Sequence, residues 1–269
     1  MTSLVDLVKD DVSAFLKSNH ELLFNERDLQ MHLALWLEAS DNKYDDVDIE
    51  YYVPNSELEG YGDLWDNELR IDIVVRKETE YVPIELKYKT KGVNRQISRF
   101  GIKLSKEVLV VKNQGAQNLG MYGFWKDVKR IELLRRRFDN IHNGLVVFVT
   151  NDEIYVKGSK ESSDNYLMNI SEGRHSRHKY WQKLESKLAK DNPRFDVETE
   201  YSMHWGFNII DNEKFYHTYN SIASLYGDKK RNHNRRIPCR RRHQRLVLCT
   251  QDIQQHQGSP TRNCRQNRL

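Results

Sequence analysis

The sequence predicts an α/β fold of order αβββαβ: a mixed central sheet flanked by helices, with an inserted hairpin and a C-terminal extension. Three patterns point to it. Two β-branched runs, Arg70 to Val75 and Val82 to Lys87, are separated by the polar stretch Arg76 to Tyr81, as in a hairpin of two strands. Apolar residues recur at helical spacing over residues 3–18 and 25–39. A basic-faced helix over about 118–138 is followed by the apolar run Gly144 to Asp152, giving a crossover connection between parallel strands.

Taken in order, Leu4, Val5, Val8, Val12, Phe15 and Leu16 form the apolar stripe of the first helix. The second helix starts at the N-cap Asn25 and carries Leu29, Leu33, Trp36 and Leu37 on one stripe. Val47 to Val53 is a strand, and the turn Gly60-Tyr61-Gly62-Asp63 leads toward the strand holding Asp72. Asp63 and Asp66 lie in loop-like sequence, as turn formers. The apolar residues between Ile97 and Val111 predict an inserted β-hairpin placed as a flap. In the long helix, Leu119, Tyr122, Trp125 or Val128, Ile131 and Leu134 face inward; Lys126, Lys129, Arg130 and Arg135 to Arg137 face outward. Beyond residue 155, Tyr180 to Lys190 predicts a helix and Phe195 to Phe207 one or two strands, with a basic cluster at Gly173 to Lys179.

The chain of 269 residues is long enough to bury a core. It divides into a core over 1–155, an α/β extension of the same domain over 156–228 and a basic tail over 229–269. The tail holds twelve Lys and Arg against one acid, Asp252; since the whole chain carries +4, the tail supplies +11 and residues 1–228 carry −7. All three cysteines, Cys239, Cys249 and Cys264, lie in the tail, so no disulfide framework is indicated; their spacing with the tail histidines matches no paired zinc pattern. The tail lacks apolar periodicity, which predicts a disordered segment. Two explanations stand side by side: an electrostatic arm for phosphate backbones, or an ending foreign to this fold, as a frameshift would produce. No apolar run is long enough to span a membrane and no signal sequence stands at the N-terminus, so a cytoplasmic protein is expected.

The candidate site lies on the two hairpin strands. Alternation puts Glu85 and Lys87 on one face, opposite Ile84, Leu86 and Tyr88, and puts Asp72 opposite Ile71 and Ile73. A hairpin then brings Asp72, Glu85 and Lys87 together. Neighbouring carboxylates repel unless a cation separates them, and Mg²⁺ is held by one or two carboxylates plus waters and phosphates. A lysine beside such an ion orients an attacking water. The competing explanation is a solvated hairpin face on which Asp72 and Lys87 form an ordinary cross-strand pair. The apolar strands around them favour the site, because buried charges are almost always paired or liganding. Lys87, Lys89 and Lys91 alternate along one strand face, a natural place to hold a phosphate backbone.

Asp72, a gap of twelve residues and then Glu85-Leu86-Lys87 resembles the PD-(D/E)XK nuclease superfamily, the restriction-endonuclease-like fold. The likeness covers roughly residues 15–155 and departs from the pattern at the leading proline, since Ile71 precedes Asp72. It implies a Mg²⁺-dependent phosphodiesterase, with Mn²⁺ as a substitute, acting on nucleic acid and foremost DNA, in restriction or defence. In that scheme Asp72, Glu85 and the Leu86 carbonyl bind the metal and Lys87 positions the water. Glu26, near the start of the second helix, is the extra acid; the helix dipole equally explains an acid there. Gln117 and Tyr122 resemble the family's Gln and Tyr on the following helix, although their spacing differs; the alternatives are a cap and a core residue. Many members pair to cut both strands, so a homodimer is within the resemblance. The family also includes members that bind nucleic acid or a protein partner without hydrolysis, which is the alternative function.

Overall fold

The computed structural model describes residues 2–40, 43–54, 57 and 68–223. The chain opens with two helices, α1 (Leu4–Ser18) and α2 (Glu26–Glu38). Ser3 caps α1, and Asn25 caps α2 by accepting from Asp28 N at 3.0 Å while Asp28 accepts from Phe24 N at 2.9 Å. Leu29, Leu33 and Leu37 are buried as their spacing predicts. Trp36, expected on the same stripe, is 40% exposed; its indole donates to Asp11 O at 3.1 Å, so its polar edge rather than core burial sets its place.

Strands β1 (Asp46–Val53), β2 (Leu69–Lys77) and β3 (Glu80–Tyr88) follow. The hairpin between β2 and β3 is tighter than the polar stretch suggested, with only Glu78 and Thr79 outside the strands. Glu78 supplies the positive φ of 52° that a two-residue hairpin needs, and Asp45 accepts its N–H at 2.6 Å. The insertion consists of β4 (Val93–Arg95) paired with β7 (Val108–Val111), and β5 (Ser98–Arg99) paired with β6 (Ile102–Lys103). Arg99 lies over the Phe24 ring at 5.7 Å, and Arg95 donates to Asp211 O at 2.9 Å. The insertion is thus tied beside the start of α2.

Helix α3 (Gln117–Arg137) leads to β8 (Asn143–Thr150), which pairs with β3 in parallel. Next come α4 (Ile154–Lys157), β9 (Gly173–His175), β10 (His178–Lys179), α5 (Lys187–Asp191), β11 (Phe195–Asp196), β12 (Tyr201–Met203), β13 (Gly206–Ile210) and β14 (Glu213–Ala223). The central sheet is mixed and six-stranded, in the order β1-β2-β3-β8-β14-β13, so the two last strands complete it beside β8.

Helices α1 and α2 cover one face, against Ile73, Val75, Ile84, Leu86, Leu145 and Val147. Helix α3 covers the other, against Val146 and Phe148 and, toward β2, Val74. Strand β8 lies between these layers and is buried along nearly its whole length, which explains its continuous apolar run.

One expectation for the C-terminal part is corrected. The helix expected over Tyr180 to Lys190 is only α5; residues before it are held by Asp164, which accepts from Gln182 N through its main chain and from Lys183 N through its carboxylate. In the basic cluster at 173–179, Arg177 and His178 pair with Asp196 and Arg174 pairs with Glu200, the three basic side chains staying more than half exposed, while Lys179 is buried. Among the described residues no helix is long and apolar enough to cross a membrane. The Gly60 turn, Asp63, Asp66 and the tail lie outside the described residues.

Candidate active site at a forked strand pair

The ladder between β2 and β3 runs from Lys77 and Glu80 to Ile73 and Ile84, and no further. Beyond that point β2 stays with β1, while β3 stays with β8. The two strands therefore part, and the β3 edge that faced β2 is left with the N–H groups of Leu86 and Tyr88. Carboxylates take both. Leu86 N donates to Asp72 Oδ2 at 2.6 Å, and Tyr88 N donates to Glu26 Oε2 at 2.9 Å. An acid from β2 and one from the first turn of α2 thus line up on one strand edge that has lost its ladder partner, each replacing a missing ladder acceptor.

The opposite side of β2 is also shaped around this point. Glu50, across from Asp72 on β1, has a φ of 51°, a left-handed conformation that costs a non-glycine residue about 1 kcal/mol or more. The buried Gln30 donates to Asp72 O at 2.7 Å and to Glu50 Oε1 at 3.2 Å. Helix α2 therefore both delivers Glu26 and closes the polar gap behind Asp72.

Glu85 and Lys87 point to the face covered by α3, as their parity requires. Lys87 Nζ lies 2.6 Å from Asp127 Oδ2 and 3.1 Å from Leu86 O. Arg130 Nη1 lies 2.8 Å from Glu85 Oε1 and 3.7 Å from Asp127 Oδ1. Asp127 and Arg130 are three residues apart on one helical face, so the two pairs interlock.

These contacts set the protonation of the groups. Burial pushes the Asp72 carboxyl up to about 6; Lys87 and the Leu86 N–H oppose this, while Asp127 and Glu26 add to it. Burial also lifts the Glu85 carboxyl well above the carboxylate range, against the pull of Arg130 and with a push from Asp127 and Asp72. For Lys87 burial works toward the neutral amine, but Asp127, Glu26 and Glu85 outweigh it and hold the ammonium above its ordinary value. The carboxyls thus share one field.

Of the residues singled out in the sequence, Asp72, Glu85, Lys87 and Glu26 come together, and the Leu86 carbonyl meets the Lys87 ammonium. Strand β3 ends at Tyr88, so the expected row of lysines on one strand face is not formed. Lys91 Nζ is 3.1 Å from Asp152 Oδ1, and Gln117 Nε2 donates to Asp152 Oδ2 at 3.0 Å. Lys89 follows the strand, its N–H donating to Val149 O at 3.1 Å. Tyr122 packs at 5.7 Å on Trp181 and donates to Pro193 O at 2.8 Å, placing it in the core under α3. Arg130, expected outward, is turned in by Glu85, and Arg135 and Arg136 are taken up by Glu198.

Asp127, Arg130 and Gln30 were not singled out. Asp127 stands within the apolar stripe between Phe124 and Ile131, and Gln30 follows the buried Leu29; a polar residue on the inward side of an amphipathic helix is the signal that marks such positions.

Asp72, Glu26 and the Leu86 carbonyl are hard oxygen donors along one strand edge, and the Asp72 carboxyl is raised first by burial and only to a smaller degree by Asp127 and Glu26. Hard oxygen donors of this kind are the ones Mg²⁺ and Mn²⁺ take. Among the described residues no group of three or more His, Cys, Asp or Glu is placed to hold a metal ion by itself. The fold and site define an α/β protein with a buried acid–lysine cluster at a strand fork. No family model matches the chain, and no curated protein or solved structure matches it.

Proposed function

We propose that this protein is a divalent-cation-dependent nuclease with a restriction-endonuclease-like core, hydrolysing phosphodiester bonds of nucleic acid and foremost of DNA. The observation that carries this reading is the fork. It brings Asp72 and Glu26 onto the adjacent N–H groups of Leu86 and Tyr88, with Lys87 on the strand between them. Charged groups gathered this far into a fold need a chemical reason.

Asp72, Glu26 and the Leu86 carbonyl would hold Mg²⁺ or Mn²⁺, with Glu85 beside them. The ion, when bound, neutralises charge on the phosphate under attack. Lys87 orients the attacking water and stabilises the developing negative charge, a role that suits an ammonium kept protonated by its neighbours. Asp127 fixes the direction of that ammonium, and Gln30 fixes the main chain of Asp72.

One observation favours a second reading, a nuclease-fold module that binds without cutting: Glu85 and Lys87 are already neutralised within the chain by Arg130 and Asp127. A cleavage assay on short duplex DNA, single-stranded DNA and RNA, with Mg²⁺, Mn²⁺ or chelator, separates the two. Metal-dependent cutting that disappears in Lys87→Ala supports the nuclease. Binding of the same substrates without turnover supports the module, and neither binding nor turnover rejects both.

A further inference from the structure

The insertion between β3 and α3 ends in a side chain that the fold does not use. Phe100 and Gly101 form the two-residue loop joining β5 to β6, with φ of 52° and 79°. The first place of such a loop favours Asn, Asp or Gly, and a bulky aromatic residue is strained there. Phe100 recovers none of that strain by packing: it is fully exposed, and its ring meets no other ring or cation among the described residues. An added Cβ on Gly101 would meet no atom within 4 Å, so the tip stands clear of the body. Ile102, Val108 and Leu109 are exposed on the same arm.

The tip is free, but the base is fixed. Thr90 Oγ1 donates to Lys112 O at 3.0 Å where the two ends of the insertion meet, Arg95 donates to Asp211 O at 2.9 Å between β13 and β14, and Arg99 lies over the Phe24 ring. Phe24 stands two residues before Glu26, and Thr90 two residues after Tyr88, whose N–H holds Glu26. The arm is therefore rooted beside the candidate site.

Its charge is opposite to that of its surroundings. Residues 89–112 hold seven Lys and Arg against one acid, Glu107, a net charge of +6; since residues 1–228 together carry −7, the rest of that body carries −13. Lys103 and Lys106 are exposed, and neither forms an ion pair among the described residues. A ring projecting from a basic arm on an acidic body matches a polyanion that offers planar, unpaired surfaces, because aromatic side chains stack on single-stranded bases while lysines take the phosphates.

We infer that residues 89–112 form a single-strand-binding arm, in which Phe100 stacks on an unpaired base and Lys103 and Lys106 hold neighbouring phosphates. The inference rests on the nuclease reading for the class of partner and adds to it the form of the substrate: nucleic acid with unpaired bases rather than a closed duplex.

The test uses the full chain in the presence of chelator, so that neither a metal ion nor cleavage enters the measurement. Binding of a fluorescent oligothymidylate, of a blunt duplex and of phosphatidylserine-containing vesicles is compared for wild type, Phe100→Asn, Phe100→Trp and the double variant Lys103→Gln with Lys106→Gln. Phe100→Asn suits the loop; it is expected to keep or raise the denaturation midpoint while weakening oligothymidylate binding about tenfold. Phe100→Trp is expected to bind at least as tightly as wild type. The double lysine variant is expected to lower the slope of log K against log salt by about 1.4, at about 0.7 for each phosphate contact on a single strand. Failure of wild type to bind oligothymidylate, unchanged binding in Phe100→Asn, or a loss greater on the duplex than on the single strand overturns the inference; a loss confined to the vesicles overturns it in favour of a membrane surface. Cleavage with added cations judges the nuclease reading separately. Cutting by wild type with unchanged binding in Phe100→Asn leaves that reading standing without the arm, and weakened binding in Phe100→Asn without any cutting by wild type leaves the arm standing without that reading.

Discussion

The main-chain N–H of Leu86 donates to the carboxylate of Asp72 at 2.6 Å, just past the last rung of the ladder between their strands. A side chain has replaced a main-chain acceptor there. The sheet can open at this point without leaving a buried donor unsatisfied, and the opening creates the only edge on which Asp72, Glu26 and Lys87 gather in the described residues.

That substitution costs stability at neutral pH. Asp72 titrates at about 6 in the fold against 3.8 for the free side chain, so its penalty is absent below pH 3.8 and fully present above about pH 6. Asp72→Asn keeps an acceptor for Leu86 N and removes the charge. It is expected to be roughly 1–3 kcal/mol more stable than wild type at pH 8 and equal to it near pH 3.5. Urea denaturation at both values checks this, and an unfolded variant at pH 8 would show that Asp72 is a structural ion-pair partner instead.

Gln30 is the hinge between α2 and the site. Its amide satisfies Asp72 O and contacts Glu50, and it is buried. Gln30→Ala leaves a buried carbonyl without this donor and is expected to cost about 1–3 kcal/mol. Under the proposed nuclease reading it also lowers cleavage more than Trp36→Ala, because of the two only Gln30 touches the main chain of Asp72; parallel thermal melts and cleavage assays compare the two.

Lys179 lies buried with its ammonium 3.3 Å from the Trp125 ring centre, donating to Leu167 O at 3.3 Å. Burial lowers it to about 7 from 10.5. The unfolded chain then binds more protons between those values, so stability rises with pH from about 7 to 10.5 and the full penalty applies below 7. The shift corresponds to at most about 5 kcal/mol, of which the Trp125 face returns about 2. Lys179→Met is expected to be about 2 kcal/mol more stable than wild type at pH 6, with the advantage shrinking toward pH 10, as denaturation midpoints across that range will show.

Gly144 is the second residue of β8 beneath α3, where an added Cβ would stand 2.6 Å from Ile131 Cγ2 and 2.9 Å from Pro83 O. The second contact is main chain and cannot step aside. Gly144→Ala is expected to destabilise by about 1–3 kcal/mol and to shift α3 away from β3, which a denaturation midpoint and the near-ultraviolet signal of Trp125 would register.

The sequence alone determined the local elements and the faces of their residues. The spacing of Leu29, Leu33 and Leu37 encodes α2, the alternation through Glu85 and Lys87 sets their common face, and the apolar run of β8 marks a strand covered on both sides. These follow from periodicities of a few residues, which any folded context must respect. Only the tertiary structure decided which distant groups meet. Glu26 reaches Tyr88 N across 62 residues, and Arg130 reaches Glu85 across 45. It also placed β14 beside β8, turned Arg130 inward, drew Lys91 and Gln117 to Asp152, and opened the fork at Asp72. None of these has a local signature, because each is settled by competition among long-range partners for a buried charge or an unpaired N–H, and that competition begins only once the sheet has assembled.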